Sequence, residues 1–314
     1  MSANVIFSGL FSKVWKIFRF FLLFGLAYTL LFPLIYMLST SFRSLQDVMN
    51  PSVIWVPQNF TLDNFNLALK ALKYWESFGN TVSIGMVSSL IQIVSCALVG
   101  YGFARFKFKG RGFMFALVLF TILVPPQVIC IPLYIMYQSI SIPIIGGKFS
   151  LLPLLPYGVN LIDKNALFYI QAAFGMGIRS GLYIYIFRQF FRGIPRELEE
   201  AATIDGCGTF ETFIKIMVPN AGSAFLTVFL LSTVWYWNDF FSTRLFLSDR
   251  TTLATALEGL KDSLKNMGIN ELDPFQMQAR LQAGCLLVIA PLLVMYAFLQ
   301  RYFTESIERT GIVG

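Results

Sequence analysis

The chain contains no histidine, so the commonest metal ligand and the usual general base near neutral pH are missing. Charge is scarce as well. Asp, Glu, Lys and Arg make up 13% of the 314 residues, against roughly 25% in an ordinary soluble domain. With 56% of residues hydrophobic and 16% aromatic, so little charge cannot clothe a water-soluble surface on a chain of this length. The four cysteines, Cys96, Cys130, Cys207 and Cys285, never fall close in sequence, which excludes a disulfide framework and a zinc knot. No G-x-x-x-x-G-K-[ST] phosphate loop is present; Gly146-Gly147-Lys148 lacks both its spacing and the following Ser or Thr. Nor do the apolar runs hold the clustered catalytic His, Asp or Cys of a membrane-embedded enzyme. These absences describe a multi-span membrane protein that performs no covalent chemistry itself.

What is present is a series of long apolar runs. Stretches free of Asp, Glu, Lys and Arg cover 20–42, 77–104, 112–147, 216–238 and 281–300, and about 20 apolar residues cross a bilayer core. A sixth run, 165–187, is interrupted only by Arg179. The runs are continuous rather than alternating, which favours helices over a barrel. The first is too long for a signal-peptide core and no A-x-A site follows it, so it counts as a helix. The expectation is an all-α integral membrane protein of six transmembrane helices, at approximately 20–42, 80–104, 113–136, 165–187, 221–243 and 281–300.

Lys and Arg orient the bundle. Lys13, Lys16 and Arg19 precede the first helix, and Arg105, Lys107, Lys109 and Arg111 fill the link between the second and third. Arg188, Arg192, Arg196 and Lys215 lie between the fourth and fifth, and Arg301 and Arg309 follow the sixth. These thirteen belong on the cytoplasmic side, while the ten on the opposite segments are spread over longer loops and diluted by acids. Both termini, 1–19 and 301–314, are therefore expected to be cytoplasmic, with a six-helix bundle over 20–300. The net charge of +7 is explained by this topology, and no soluble basic face with exposed aromatics is present for nucleic acid. A proton- or sodium-coupled secondary transporter would show paired intramembrane acids and inverted repeats, and the one acid near a membrane edge is Asp239.

Two outer loops are substantial. Residues 43–76 contain Pro51 and Pro57 and then an amphipathic stretch, Asn64–Trp75, suited to lying on the membrane surface. Residues 244–280 include Leu253–Leu264, apolar at helical spacing. Contact surfaces for something outside, or ordered loops capping the bundle, fit equally.

The most informative segment is cytoplasmic, Pro195–Pro219. Pro195 suits the first position of a helix whose positive end carries Glu197, Glu199 and Glu200. Gly206 can end it in a left-handed conformation, and Thr209 can cap a second short helix. On that helix Phe210, Phe213, Ile214 and Met217 form an apolar stripe. An Ala-Ala surface flanked by acids fits either a plug for a groove in another subunit or an interfacial helix hairpin.

Glu200-Ala201-Ala202, three residues, Gly206, nine residues, then Ile216-x-Val218-Pro219 resembles the EAA signature of ABC importer permeases, with Val218 its one departure. Arg188–Pro195, Tyr101–Arg111, Trp237-Asn238-Asp239 and the tail from Gln300 to Gly314 are similar to the carbohydrate branch of that family, the MalG-like permeases. The tail departs from the family's basic ending, since no Lys precedes Gly314. The resemblance covers most of the chain and implies the type I ABC importer permease fold in a bacterial cell membrane. It also implies a second homologous permease, two ATPase subunits binding ATP and Mg, an extracytoplasmic solute-binding protein and sugar import. Glu200, Ala201, Ala202, Asp205 and Gly206 would form the coupling element, the two alanines allowing close approach and Gly206 the turn.

Within the membrane, Ala173, Gly177 and Gly181 stand four residues apart, a small-residue ridge for close helix packing. Arg179 falls roughly 13 Å deep on a continuous helix, facing away from that ridge. An intramembrane charge is a functional candidate by default; Arg179 either lines the pathway, favouring acidic or strongly hydrogen-bonding sugars, or makes a structural pair. Trp237, Asn238 and Asp239 end the fifth helix as pathway or aromatic-belt residues. Pro125-Pro126 should kink the third helix, leaving Gln127 to line the pathway or to satisfy the broken backbone.

Overall fold

The structure, a computed structural model, describes the backbone of residues 3–138, 142–144, 147–149, 160–269 and 274–311, and side chains over 13–138, 160–269 and 274–301. It is helical apart from one short antiparallel hairpin, Ile142–Ile144 with Gly147–Phe149, in which Ile142 faces Phe149. Two compact units divide the chain, one of residues 1–72 and 259–289, the other of residues 73–258 and 290–314.

The first unit opens with the helix Ala3–Ser41. Every side chain from Lys13 to Ile35 is exposed, a long apolar surface suited to lipid or another subunit rather than water. The loop after it is a built structure. Phe42 stacks on Phe60 and Phe65 at centroid distances of 4.6 and 4.7 Å. Buried Asn64 donates to the carbonyls of Ser41 and Arg43 at 3.0 and 2.9 Å. Asp47 accepts from the backbone and side-chain amides of Asn59, both at 2.8 Å. Its burial alone would push the carboxyl upward, but these donors, with Arg43 nearby, hold it below the ordinary carboxylate range. The amphipathic stretch becomes the helix Asp63–Ala71, which packs its Ala68 side against the helix Leu260–Asn266.

The second unit is organised around the helical run Tyr74–Arg105, regular except for one π-type turn, Ser83–Val87. Its last part, Ser88–Arg105, lies along the helix Ser180–Gly193. Gly100 permits that approach: a Cβ there would sit 2.7 Å from Phe187 Cβ and 3.0 Å from the Arg188 backbone nitrogen. Tyr183, Phe187 and Phe191 fill the core beside it, with Phe213 and Met217 from the following loop. At the other end of the run, Thr81 Oγ1 accepts from the Leu253 amide at 2.8 Å and Asn80 donates to the Thr251 carbonyl at 3.0 Å. These bonds fasten the loop leading into the helix Leu253–Glu258.

Among the described residues, three continuous helices are long and apolar enough to cross a membrane, Lys13–Ser41, Tyr74–Arg105 and Pro274–Arg301. Two bent pairs add to them. Arg111–Leu123 and Pro126–Gln138 meet at 102°, a far sharper bend than the expected kink. Adjacent prolines remove two amide donors and force the preceding residue out of the helical region, and Val124 is indeed extended. Thr209–Asn220 and Gly222–Trp237 meet at 78°.

The run 165–187 departs furthest from expectation, since it is not one helix. Ala166–Ala173 stops, Phe174–Arg179 is irregular, and Ser180–Gly193 resumes. Gly175 and Arg179 both adopt left-handed backbone, at φ +67° and +60°. Two glycines within four residues supply too little helix propensity to continue a span through this point.

Candidate functional site

The helix expected from Pro195 spans Glu197–Ile204, with Arg196 at its N-cap and Pro195 just outside. Its end is a Schellman motif: the Cys207 amide donates to the Ala202 carbonyl at 2.9 Å and the Gly206 amide to Thr203 at 3.1 Å. Gly206 sits at φ +83° with open space where a Cβ would go, so the requirement for glycine is conformational rather than steric. Gly208, not Thr209, caps the second helix. Of the apolar stripe, Phe213 and Met217 are buried while Phe210 and Ile214 are exposed.

The first helix has two distinct faces. Glu197, Glu200, Ala201, Ile204 and Asp205 are exposed, and Ile204 is 86% exposed, unusually so for a β-branched hydrophobe. Ala202 is turned the other way, only 5% exposed, because successive helical residues point about 100° apart. The expected Ala-Ala surface is therefore a single outward alanine flanked by Glu200 and Ile204. Glu199 shares the inner face. Its Oε1 lies 3.1 Å from Nε of Arg105, the last residue of Ser88–Arg105. Arg105 Nη2 also donates to the Ile194 carbonyl at 2.7 Å. Arg105, Arg196, Glu199, Glu200, Thr203 and Ile204 together line an open depression of about 510 Å³. Arg105 and Ile204 were not among the residues expected to matter, although Arg105 contributes to the charge count and Ile204 stands beside the motif.

The second candidate region is the break at Phe174–Arg179. Ending a helix inside an apolar environment strands carbonyl groups that need partners, and the run Tyr74–Arg105 supplies them. Ser95 Oγ donates to the Ala172 carbonyl at 2.6 Å. Gln92, fully buried, donates through Nε2 to the Ile178 carbonyl at 2.9 Å and to Ser180 Oγ at 2.7 Å, while its Oε1 accepts from Ser232 Oγ at 2.9 Å. Gly177 makes room for this staple: a Cβ there would lie 2.5 Å from Tyr236 Oη and 3.0 Å from Gln92 Nε2. Gly181 is equally tight, but against Thr121 and Val118. The two glycines thus face different helices, and Ala173 is exposed, so the three do not form one ridge.

Arg179, at the break, holds its guanidinium over the Trp235 ring, 4.4 Å from the centroid. Trp235 is 42% exposed, whereas Trp237 is buried, its ring edge-on to Phe78. The aromatic partnered with the charge is therefore Trp235, which adjacency in the sequence could not distinguish. Asn238 bonds back to the Val234 carbonyl at 2.9 Å, and Asp239 accepts from the Ser242 amide at 3.2 Å, so both finish the local turn. Gln127 is exposed beside the Pro125 bend, and nothing brings it to Arg179 or to Trp237. Among the described residues no group of three or more His, Cys, Asp or Glu side chains converges as metal ligands would.

Residues 96–309 match the family described as binding-protein-dependent transport system inner membrane component. The chain is 30% identical to the arabinooligosaccharides transport system permease protein AraQ of Halalkalibacterium halodurans, over 92% of this chain and 93% of that one. It is 25% identical to the polygalacturonan/rhamnogalacturonan transport system permease protein YtcP of Bacillus subtilis, over 95% and 97%. In fold it is similar, at a TM-score of 0.72 and 22% identity, to a chain of a bacterial ABC transporter involved in import of the acidic polysaccharide alginate; the match covers 93% of this chain and 97% of that one.

Proposed function

The chain belongs to the family of binding-protein-dependent transport system inner membrane components, and we propose that within it the chain is the permease subunit of a bacterial ABC importer for a sugar or oligosaccharide. It works in the plasma membrane beside a second, homologous permease. Two ATP-binding-cassette subunits drive it, and an extracytoplasmic solute-binding protein loads it. Six crossings with both termini cytoplasmic follow if each bent pair is one span and the broken pair Ala166–Ala173 with Ser180–Gly193 is another. Relatives named for arabinooligosaccharide and for polygalacturonan/rhamnogalacturonan transport, matched along nearly their whole length, support the substrate class.

The observation that carries the mechanism is the exposed face Glu200-Ala201-Ile204 on a short helix that ends at Gly206. Ile204, 86% exposed, gives this face an apolar centre beside Glu200 and Ala201, and three acids in the first turn of one helix suit a basic groove. Docked in an ATPase, this helix moves when the ATPases close on ATP, and the bundle turns from inward to outward opening. Arg179 over Trp235 is the proposed pathway element, a cation beside a sugar-stacking ring that favours acidic or strongly hydrogen-bonding sugars.

The test is ATPase activity of the co-purified complex, stimulated by loaded binding protein across neutral and acidic oligosaccharides. Wild type is expected to respond to at least one sugar, and Glu200→Lys to lose most of that response while the membrane subunits stay folded. Absence of any co-purifying ATPase would remove the importer reading.

A further inference from the structure

The run Tyr74–Arg105 ends where the coupling segment begins, and the contact between them is polar and specific. Arg105 is the final residue of that run, with its side chain 6% exposed. It grips the coupling segment at two points, the Glu199 carboxylate at 3.1 Å and the Ile194 carbonyl at 2.7 Å. One helical turn earlier, Tyr101 packs on Phe213 at 5.0 Å and on Phe191 at 5.7 Å. The last turn of this helix therefore seats both halves of Pro195–Pro219, the first through an ion pair and the second through aromatic rings.

The ion pair also sets the rotation of the coupling helix. With Glu199 and Ala202 drawn inward, Glu200, Ala201 and Ile204 must face outward. A charge pair with side chains 6% and 20% exposed contributes little net stability, but removing Glu199 leaves the enclosed Arg105 without its carboxylate. Its value lies in fixing one arrangement. The same run carries Gln92, bonded to the break that holds Arg179, so one rigid helix touches the coupling helix at its end and the intramembrane break nearer its middle.

We infer that Arg105, through Glu199, is the positioning residue that transmits movement of the coupling helix into the membrane bundle. The inference rests on the importer reading and adds to it the strut by which docking reaches the pathway. Glu199 becomes a residue with a role opposite to that of its neighbour Glu200: one faces the bundle, the other the ATPase.

The experiment compares wild type, Arg105→Glu, Glu199→Arg, the double reversal, Arg105→Lys and Arg105→Gln in the assembled complex with binding protein, in proteoliposomes. Three quantities are read: ATPase subunits retained per permease, stimulation by loaded binding protein, and sugar moved per ATP hydrolysed. Each single reversal is expected to retain the ATPases yet lose stimulation on the order of tenfold, within the coupling range of contacting pairs. The double reversal recovers most of the loss, and Arg105→Lys exceeds Arg105→Gln in sugar moved per ATP. A double reversal no better than the poorer single variant would overturn the inference. So would Arg105→Gln at the wild-type transport ratio, which decides the matter if the reversed variants fail to assemble. A wild-type complex without ATPase would instead defeat the importer reading itself.

Discussion

The segment Pro195–Pro219, proposed above for coupling, and the break at Phe174–Arg179 both interrupt long apolar helices, and their turns are closed in opposite ways. The first closes locally. Its acids, its alanines and its terminating Gly206 lie within ten residues, and the bonds closing its helix run between Ala202, Thr203, Gly206 and Cys207. The second is held from a distance. Its stranded carbonyls are satisfied by Gln92 and Ser95, some eighty residues earlier, and Gln92 is in turn held by Ser232. A turn in water can leave its last carbonyls to solvent, whereas one among apolar helices must find protein donors. The difference predicts that the turn at Gly206 fails by losing a backbone conformation and the break by losing remote side chains.

The largest effect should come from Gly206→Pro. Proline fixes φ near −65° and has no amide to give Thr203, so sugar uptake should vanish in vesicles, whereas Gly206→Asn, which tolerates the left-handed region, should retain most of it. Full uptake with proline would break the local half of the comparison. Next comes Gln92→Leu, which keeps the bulk and removes every bond of the staple. Thermal melting of the detergent-solubilised protein should register a loss of about 1–3 kcal/mol, the scale for stranding buried polar groups. A melting point equal to wild type would show that the break does not depend on its remote donors.

Arg179→Gln should be milder in stability, about 1 kcal/mol for a lost cation–π contact, and its signature is selective. Uptake should fall more for acidic than for neutral oligosaccharides. Unchanged transport of every sugar would leave Arg179 only a structural role beside Trp235.

The loop around Asp47 serves as a baseline beyond both regions, and its effect should be the smallest. Because Asp47 titrates below the ordinary carboxylate value, its contribution is present above that value and is lost as the pH falls through the folded-state value. Asp47→Asn should cost on the order of 1 kcal/mol and should flatten the acid limb of a melting curve recorded below about pH 4. An acid limb unchanged by the substitution would mean that other carboxylates govern it.

The same contrast explains what could be read without a fold. The coupling helix, its Gly206 stop and the apolar runs were legible because each signal is compact: a residue pattern, a charge-free length, a glycine after a helix. The inward turn of Ala202 was not, since it shows only with Arg105 placed against Glu199, 94 positions away. The break was hidden for a related reason. Residues 165–187 read as one apolar run, and Ala173, Gly177 and Gly181 resemble a packing ridge until Gly177 is seen against Gln92 and Gly181 against Thr121. Trp235 and Trp237 stand two residues apart in one aromatic cluster, and only packing separates the exposed ring under Arg179 from the buried ring on Phe78.

The central claim is that Glu197–Ile204 presents its outer face to an ATPase subunit, and contact at position 204 tests it most directly. Ile204 replaced by a photo-reactive phenylalanine analogue in the assembled complex should, on illumination, link this chain to the ATPase. The same analogue at Trp75, 75% exposed in the first turn of the run that ends at Arg105, should not. Cross-linking from position 204 to lipid alone, with none to the ATPase, would contradict the account.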